Sequence, residues 1–362
     1  MDFGLSEEQV LLKDTIRRYL ETECPPTRVR AIMENPSGHD SDLWHGLAQL
    51  GVPGLRIPVE HGGSGLELLD AALAAEELGS ACTPGPFLAC ALASEALIAA
   101  GNREAAARWL PAIAQGTSIV TLALGEDGDQ WDAAQLATRV RGGALIGRKP
   151  LVAYGEIADA ILVAAQDDDG PGLWLVERGA PGLAVTTQRT TDMTRRVAAV
   201  TLEGAPGARI ATGRAAIDRA RDAGLVLLAA DAYGGARRCL EMTVRYVLTR
   251  EQFGQPIGGF QGVKHQLADL ATELDPALSL WWYAAHAHDR IRDRAARHAA
   301  IAKAHLTDLF DRVARVTTEL HGGIGFTWEY DLHLWFRPSV FDRSFLGEAA
   351  YHRARAADLA GW

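Results

Sequence analysis

The order in which hydrophobic periodicities follow one another constrains this chain more than any single residue does. From residue 215 to 320 apolar residues recur at helical spacing with few interruptions, the clearest being 254–259 and the helix-hostile Pro276. Ahead of that block lie short runs at 118–124, 144–147, 160–165, 173–176, 183–186 and 197–202. They are apolar or alternating and bounded by Gly, Asp and Pro, which is the pattern of a small β domain. Ahead of the strands the period is helical again. Residues 6–21 open on a capping box, Ser6 accepting from the first-turn amides and Gln9 reaching back, before Val10, Leu11, Ile16 and Leu20. Segments 43–50 and 67–78 follow, separated by Gly51-Val52-Pro53-Gly54 and His61-Gly62-Gly63-Ser64-Gly65, and 84–115 reads as two more helices. The expectation is a mainly α fold with a central β domain: an N-terminal helical domain 1–117, a middle β domain 118–205 and a C-terminal helical bundle 206–362.

A chain of 362 residues, 48% apolar and 23% charged, has room for two or three subdomains sharing an interface. No segment approaches the roughly 20 uninterrupted apolar residues of a membrane span. The opening Met1-Asp2-Phe3-Gly4-Leu5-Ser6 has neither a basic nor an apolar leader pattern, so a cytoplasmic location is expected. The formal charge is −10 and the basic residues are not gathered into a run, which argues against a nucleic-acid partner. Cys24, Cys82, Cys90 and Cys239 show no Cys-x-x-Cys spacing; buried thiols are expected, with no metal site and no disulfide framework.

Three segments carry a resemblance to a known family. The first is Phe3-Gly4-Leu5-Ser6-Glu7-Glu8-Gln9 with Pro58-Val59-Glu60-His61-Gly62-Gly63-Ser64-Gly65-Leu66. The second runs Thr249-Arg250-Glu251-Gln252-Phe253-Gly254-Gln255-Pro256-Ile257-Gly258-Gly259-Phe260-Gln261. The third is Leu320-His321-Gly322-Gly323-Ile324-Gly325-Phe326-Thr327-Trp328. Together they resemble the acyl-CoA dehydrogenases. The resemblance covers essentially the whole chain and implies that family's fold: an N-terminal helical domain, a middle β-barrel-like domain and a C-terminal four-helix bundle. It implies FAD as cofactor and an acyl-CoA thioester as substrate: a carboxylate removes the α-proton while the β-hydride passes to the flavin. By the same resemblance Arg250, Phe253, Gln261, Gly322 and Gly323 are candidate FAD-binding residues, reaching a flavin held mainly by a neighbouring subunit. Arg250 offers a permanently charged fork suited to a pyrophosphate, and the glycines let backbone amides approach phosphate oxygens.

The chain also departs from the family. Counting without gaps from Gly322, the usual base position falls on Leu346, and counting back from Arg250 the alternative one falls on Gly224. Neither is an acid. Asp222, Asp231 and Glu348 are the nearest carboxylates; Asp231 and Glu348 are candidate displaced bases, Asp231 lying about 10 Å beyond Gly224 along a helix. The family's Thr-Glu-Pro loop is replaced by Gly125-Glu126-Asp127-Gly128-Asp129-Gln130-Trp131-Asp132, and its Trp-x-Thr segment by Leu151-Val152-Ala153. The groups that would grip a neighbour's FAD are kept, and those that would hold a flavin ring and deprotonate substrate are not. The expected assembly is therefore an α2β2 enzyme in which this chain is the partner of a catalytic subunit, as in the branch linked to steroid side-chain degradation. The alternatives are a self-sufficient homotetramer with a displaced base, and a fold relative with other flavin chemistry or a structural role.

Overall fold

The computed structural model describes residues 4–362; Phe3 of the opening motif lies outside the described residues. Helix α1 (Glu7–Glu23) carries the capping box, Ser6 and Gln9 bonding each other's backbone amides at 3.1 and 3.2 Å. The N-terminal helices continue with α2 (Pro26–Glu34), α3 (Ser41–Gln49), α4 (Leu68–Ser80), α5 (Phe87–Ala100) and α6 (Arg103–Ala114). Helix α2 is not signalled by hydrophobic period; it starts on Pro26 in the first turn, where a missing amide proton costs nothing.

The central sheet has eight strands: β1 (Val120–Ala123), β2 (Arg139–Arg141), β3 (Ala144–Ala153), β4 (Ala160–Asp167), β5 (Gly170–Glu177), β6 (Leu183–Thr187), β7 (Val197–Pro206) and β8 (Ala208–Thr212). Their order is β6-β7-β3-β2-β4-β5-β8, with β1 pairing β4 in parallel. Strand β3 runs well past Gly147, because a register irregularity between Lys149 and Val152 lets it accommodate Pro150. Positions 151 and 153 thus lie on a strand. Strands β2 and β8 escape the sequence pattern: β2 is three residues of Arg-Val-Arg, and β8 is an edge that pairs only with β5.

Helix α7 (Ala215–Thr249) is the axis of the molecule. From Ala223 to Ala236 it is buried on nearly every side, because α4 and α5 pack on one flank and α9 on another. Small residues allow this. Gly79 of α4 sits against the Asp231 backbone, Gly234 of α7 against that of Glu76, and Gly235 against the Phe310 ring of α9, so a side chain at any of them would collide. Helices α8 (Gln261–Arg290) and α9 (Arg292–His321) are separated by Ile291 alone, and α10 (His333–Ser344) and α11 (Ala349–Asp358) complete the domain. Pro276 does not interrupt α8, contrary to the sequence expectation: buried Leu274, Ala277 and Trp281 hold the helix on both sides of it. The stretch 254–259 does break the helical run, as a hairpin of β9 (Glu251–Gln252) and β10 (Gln255–Pro256) followed by a short turn of helix.

Candidate functional site

At one end of the bundle three chain segments converge: the C-terminus of α7, the N-terminus of α8 and the C-terminus of α9. Tyr246, in the last turn of α7, stacks on His321 with ring centroids 4.2 Å apart and donates its hydroxyl to the His321 carbonyl at 3.3 Å. Arg250 therefore comes to the same end as Gly322 and Gly323, which follow His321. Arg250 leaves the helix in an extended conformation, and Ile257 N–H donates to its carbonyl at 2.8 Å, closing the hairpin loop. Phe253 occupies the hairpin turn at φ +53°, beside Gly254, with 94% of its side chain exposed. Arg250, Phe253, Gln261, Gly322 and Gly323 are all exposed, and nothing lies within 4 Å of a Cβ built at either glycine. Arg250 makes no ion pair among the described residues. Exposed Leu248, Ile324, Phe326 and Trp328 surround this end.

The two positions counted as the usual base sites meet in space. A Cβ built on Gly224 would lie 2.8 Å from Leu346 Cδ1 and 2.5 Å from Leu92 Cδ2, so the place is filled with hydrocarbon. Neither candidate acid is brought there. Asp231 gives both carboxylate oxygens to Arg195, at 2.9 and 2.7 Å, and Glu348 stands exposed at the start of α11. Asp222 is held between Arg221 at 3.2 Å and Arg355 at 2.7 Å.

Sequence reasoning missed three groups around these positions. Asp342 on α10 is fully buried, neither of its oxygens has a hydrogen-bond partner, and burial beside the negative Asp231 holds its carboxyl well above the ordinary range. With Asp231, Arg195, Tyr154 and Phe341 it lines a small cavity of about 50 Å³. Lys303 on α9 and His352 on α11 are also fully buried and bond to the turn that carries Leu346. A signal for Asp342 existed: it continues the buried row Leu334, Pro338 at helical spacing.

The region that would face a flavin ring in this chain is rebuilt. The Trp131 indole is buried, donates to Asp129 at 2.6 Å, and meets Phe345 edge-on at 5.3 Å; Phe345 in turn stacks on Phe341 at 4.9 Å. Glu126, in the same loop, is buried against Lys149, which is fully buried, at 2.7 Å and accepts the Ala137 and Thr138 amides. Desolvation pushes the Lys149 ammonium down to about 8 despite that carboxylate. The groove left beside Leu151, about 290 Å³, is floored by Val197, Val340, Phe341 and Phe345.

Comparison with known proteins assigns the family. The model of the acyl-CoA dehydrogenase N-terminal domain matches residues 6–117, and that of the C-terminal domain matches residues 205–360. The chain is a member of the acyl-CoA dehydrogenase family. It is 35% identical to the acyl-CoA dehydrogenase IpdE2 of Mycolicibacterium smegmatis over 347 residues, 95% of this chain and 96% of the relative. Among solved structures it is similar to a variant of the Tcur3481-Tcur3483 steroid ACAD, with TM-score 0.91, 32% identity and 98% of each chain covered. It is also similar to the ChsE4-ChsE5 complex of Mycobacterium tuberculosis, with TM-score 0.90, 28% identity, and 100% of this chain and 99% of that one covered.

FAD is the cofactor of this family, and the two regions answer it differently. At the exposed end, an Arg with no ion partner among the described residues and two glycines with open space over them suit the phosphates of a dinucleotide. At this chain's own ring position the residues do not fit: Leu151 and Ala153 offer neither an indole face nor a hydroxyl, and Trp131 with Phe345 fills the loop side.

Proposed function

We propose that this acyl-CoA dehydrogenase chain is the partner subunit of a heteromeric enzyme, supplying its exposed Arg250 end to the FAD site of a catalytic subunit. The observation that carries the reading is the meeting of Gly224 with Leu346: where a base would stand there is only hydrocarbon. Bound in the assembled site, FAD would supply the hydride acceptor for dehydrogenation of the acyl-CoA thioester. Arg250, the Gly322 and Gly323 amides, Phe253 and Gln261 would hold the cofactor, Arg250 supplying permanent positive charge toward the pyrophosphate and the glycine amides donors toward phosphate. Among the described residues no carboxylate of this chain stands where Gly224 meets Leu346, so the base for the α-proton would have to come from the other subunit. The exposed apolar ring of Leu248, Ile324, Phe326 and Trp328, and the largely unburied first half of α8, suit coverage by another chain. Similarity to a steroid ACAD and to a ChsE4-ChsE5 complex supports an α2β2 assembly acting on a steroid-derived acyl-CoA. Free cysteines at all four positions fit a reducing cytoplasm.

The test is purification with and without the candidate partner gene. The chain made alone is expected to carry little FAD, and the co-expressed complex to carry it and to bleach on adding acyl-CoA. One FAD per chain in the protein made alone would overturn the reading.

A further inference from the structure

We propose that the stack of Tyr246 on His321 is a positioning device: it fixes the spacing between Arg250 and the turn at Gly322 and Gly323 at which the two sides together can hold the phosphates of FAD. The proposal rests on the partner-subunit reading and deepens it, by naming the residues that aim this chain's exposed end.

The gripping groups do not anchor themselves. The Arg250 guanidinium makes no ion pair among the described residues, and the two glycines, exposed with open space over them, have no side chain to fix them. Their places are therefore set by the last residue held before each. On α7 that residue is Tyr246, whose carbonyl accepts the Arg250 amide at 2.8 Å in the bond that ends the helix. On α9 it is His321, after which the chain swings away at Gly322 with φ +63°, a conformation open to glycine. The two rings stack at 4.2 Å with 21° between their planes, so two helix ends that would otherwise fray separately are locked to each other. Among the described residues, the bond from the Tyr246 hydroxyl to the His321 carbonyl is the one side-chain hydrogen bond that joins the last two turns of α7 to residues 318–330.

His321 is itself held on every side. Its Nδ1 donates to the Thr317 carbonyl at 2.7 Å, which leaves Nε2 of the neutral ring to accept from the Tyr330 hydroxyl at 3.0 Å. Burial pushes the imidazole below its ordinary pKa and so keeps the ring neutral. Tyr330 meets both rings, 4.9 Å from His321 and 6.1 Å from Tyr246, and folds the loop after the glycines back on the stack. From the N-terminal domain, Arg30 on α2 holds the far end of that loop, donating to Asp331 at 2.6 Å and to the Trp328 carbonyl at 3.0 Å. Charge-assisted bonds to phosphate need donors in fixed places, so a spacing held from both helices raises affinity without adding a contact.

Equilibrium dialysis of FAD against the co-expressed complex tests this. Tyr246→Leu is expected to weaken FAD binding about tenfold, and Tyr246→Phe, which keeps the ring, by about threefold or less. A spacing matters only while both sides grip, so in an Arg250→Ala background Tyr246→Leu is expected to cost about twofold or less. A tyrosine that only supported the fold would cost the same factor in both backgrounds, and that result would overturn the positioning role. Unchanged FAD affinity in Tyr246→Leu, with affinity lost in Arg250→Ala, would overturn it as well. His321→Leu serves with the same readouts if Tyr246→Leu fails to assemble. Unchanged affinity in Arg250→Ala itself would overturn the site and the stack together. Flavin content of the chain made alone decides the partner reading separately from this comparison.

Discussion

The two ends of α7 have had opposite fates. Gly224 and Arg250 stand on one helix, roughly 40 Å apart along its axis. Around Gly224, itself buried, the space a side chain would take is closed by Leu92 and Leu346. Around Arg250 the same helix ends in exposed, unpaired groups, with Phe253 almost wholly in solvent. A monomeric fold gains nothing from exposing a phenylalanine, and a working active site gains nothing from packing leucine into the base position. The contrast is coherent if the open end serves a site completed by another chain while the closed end has been given over to packing.

The strongest way to break this contrast is at the open end. Arg250→Ala removes a charge-assisted contact worth about 1.5–3 kcal/mol, so FAD binding by the assembled complex should weaken roughly 10- to 150-fold. Because Arg250 is exposed and makes no ion pair among the described residues, the melting temperature of the chain alone should hardly move. Equal flavin affinity in a well-folded Arg250→Ala complex would detach the exposed end from the cofactor.

The closed end is probed by the candidate acids. Asp231→Asn and Glu348→Gln should leave turnover of the co-expressed complex within a fewfold, since a lost general base would cost about 10²–10⁴. Asp231 is occupied by Arg195 and would have to give up that pair to act at Gly224, while Glu348 faces solvent. A hundredfold loss with normal flavin content and assembly in either variant would identify a displaced base and end the contrast.

How much of this was legible beforehand depends on whether the cause is local. The helix–strand–helix order and the Ser6–Gln9 cap are written in neighbouring residues and could be read directly. Pro276 misleads because its local penalty is outweighed by tertiary burial of Trp281 and Leu274, which sequence spacing does not weigh. The α8–α9 corner at Ile291 carries no Gly or Pro and so gives no signal. The vacancies at 224 and 346 were legible singly, by counting from the two motifs. That they touch is a fact of packing between α7 and the turn after α10, and no period in either segment encodes it. Lys303 was hidden for the opposite reason: a lysine on a helix reads as solvated, and only the carbonyls of Arg343 and Gly347 explain its burial.

The smallest expected effect sharpens the contrast through acid–base behaviour at the closed end. Asp342 faces Asp231 from α7, Arg195 and Asp192 from the loop before β7, and Lys303 from α9. Desolvation and the two neighbouring carboxylates raise its folded-state value well above that of the unfolded chain, outweighing the opposing pull of Arg195. A group shifted in that direction contributes stability that is fully present below the ordinary aspartate range and is lost as the pH rises toward its folded value. Above the ordinary aspartate range the folded protein thus bears the cost of holding that carboxyl against ionisation. Asp342→Asn keeps the shape and removes the titration, so it should raise the melting temperature by a few degrees near pH 8 and change it little near pH 4. Turnover and flavin content of the complex should stay as they are, because the residue belongs to packing at the end that no longer does chemistry. A variant less stable at pH 8 than the wild type would mean that Asp342 is ionised in the fold and paired with Lys303 or Arg195, making the closed end an ion-pair network rather than a neutral seal.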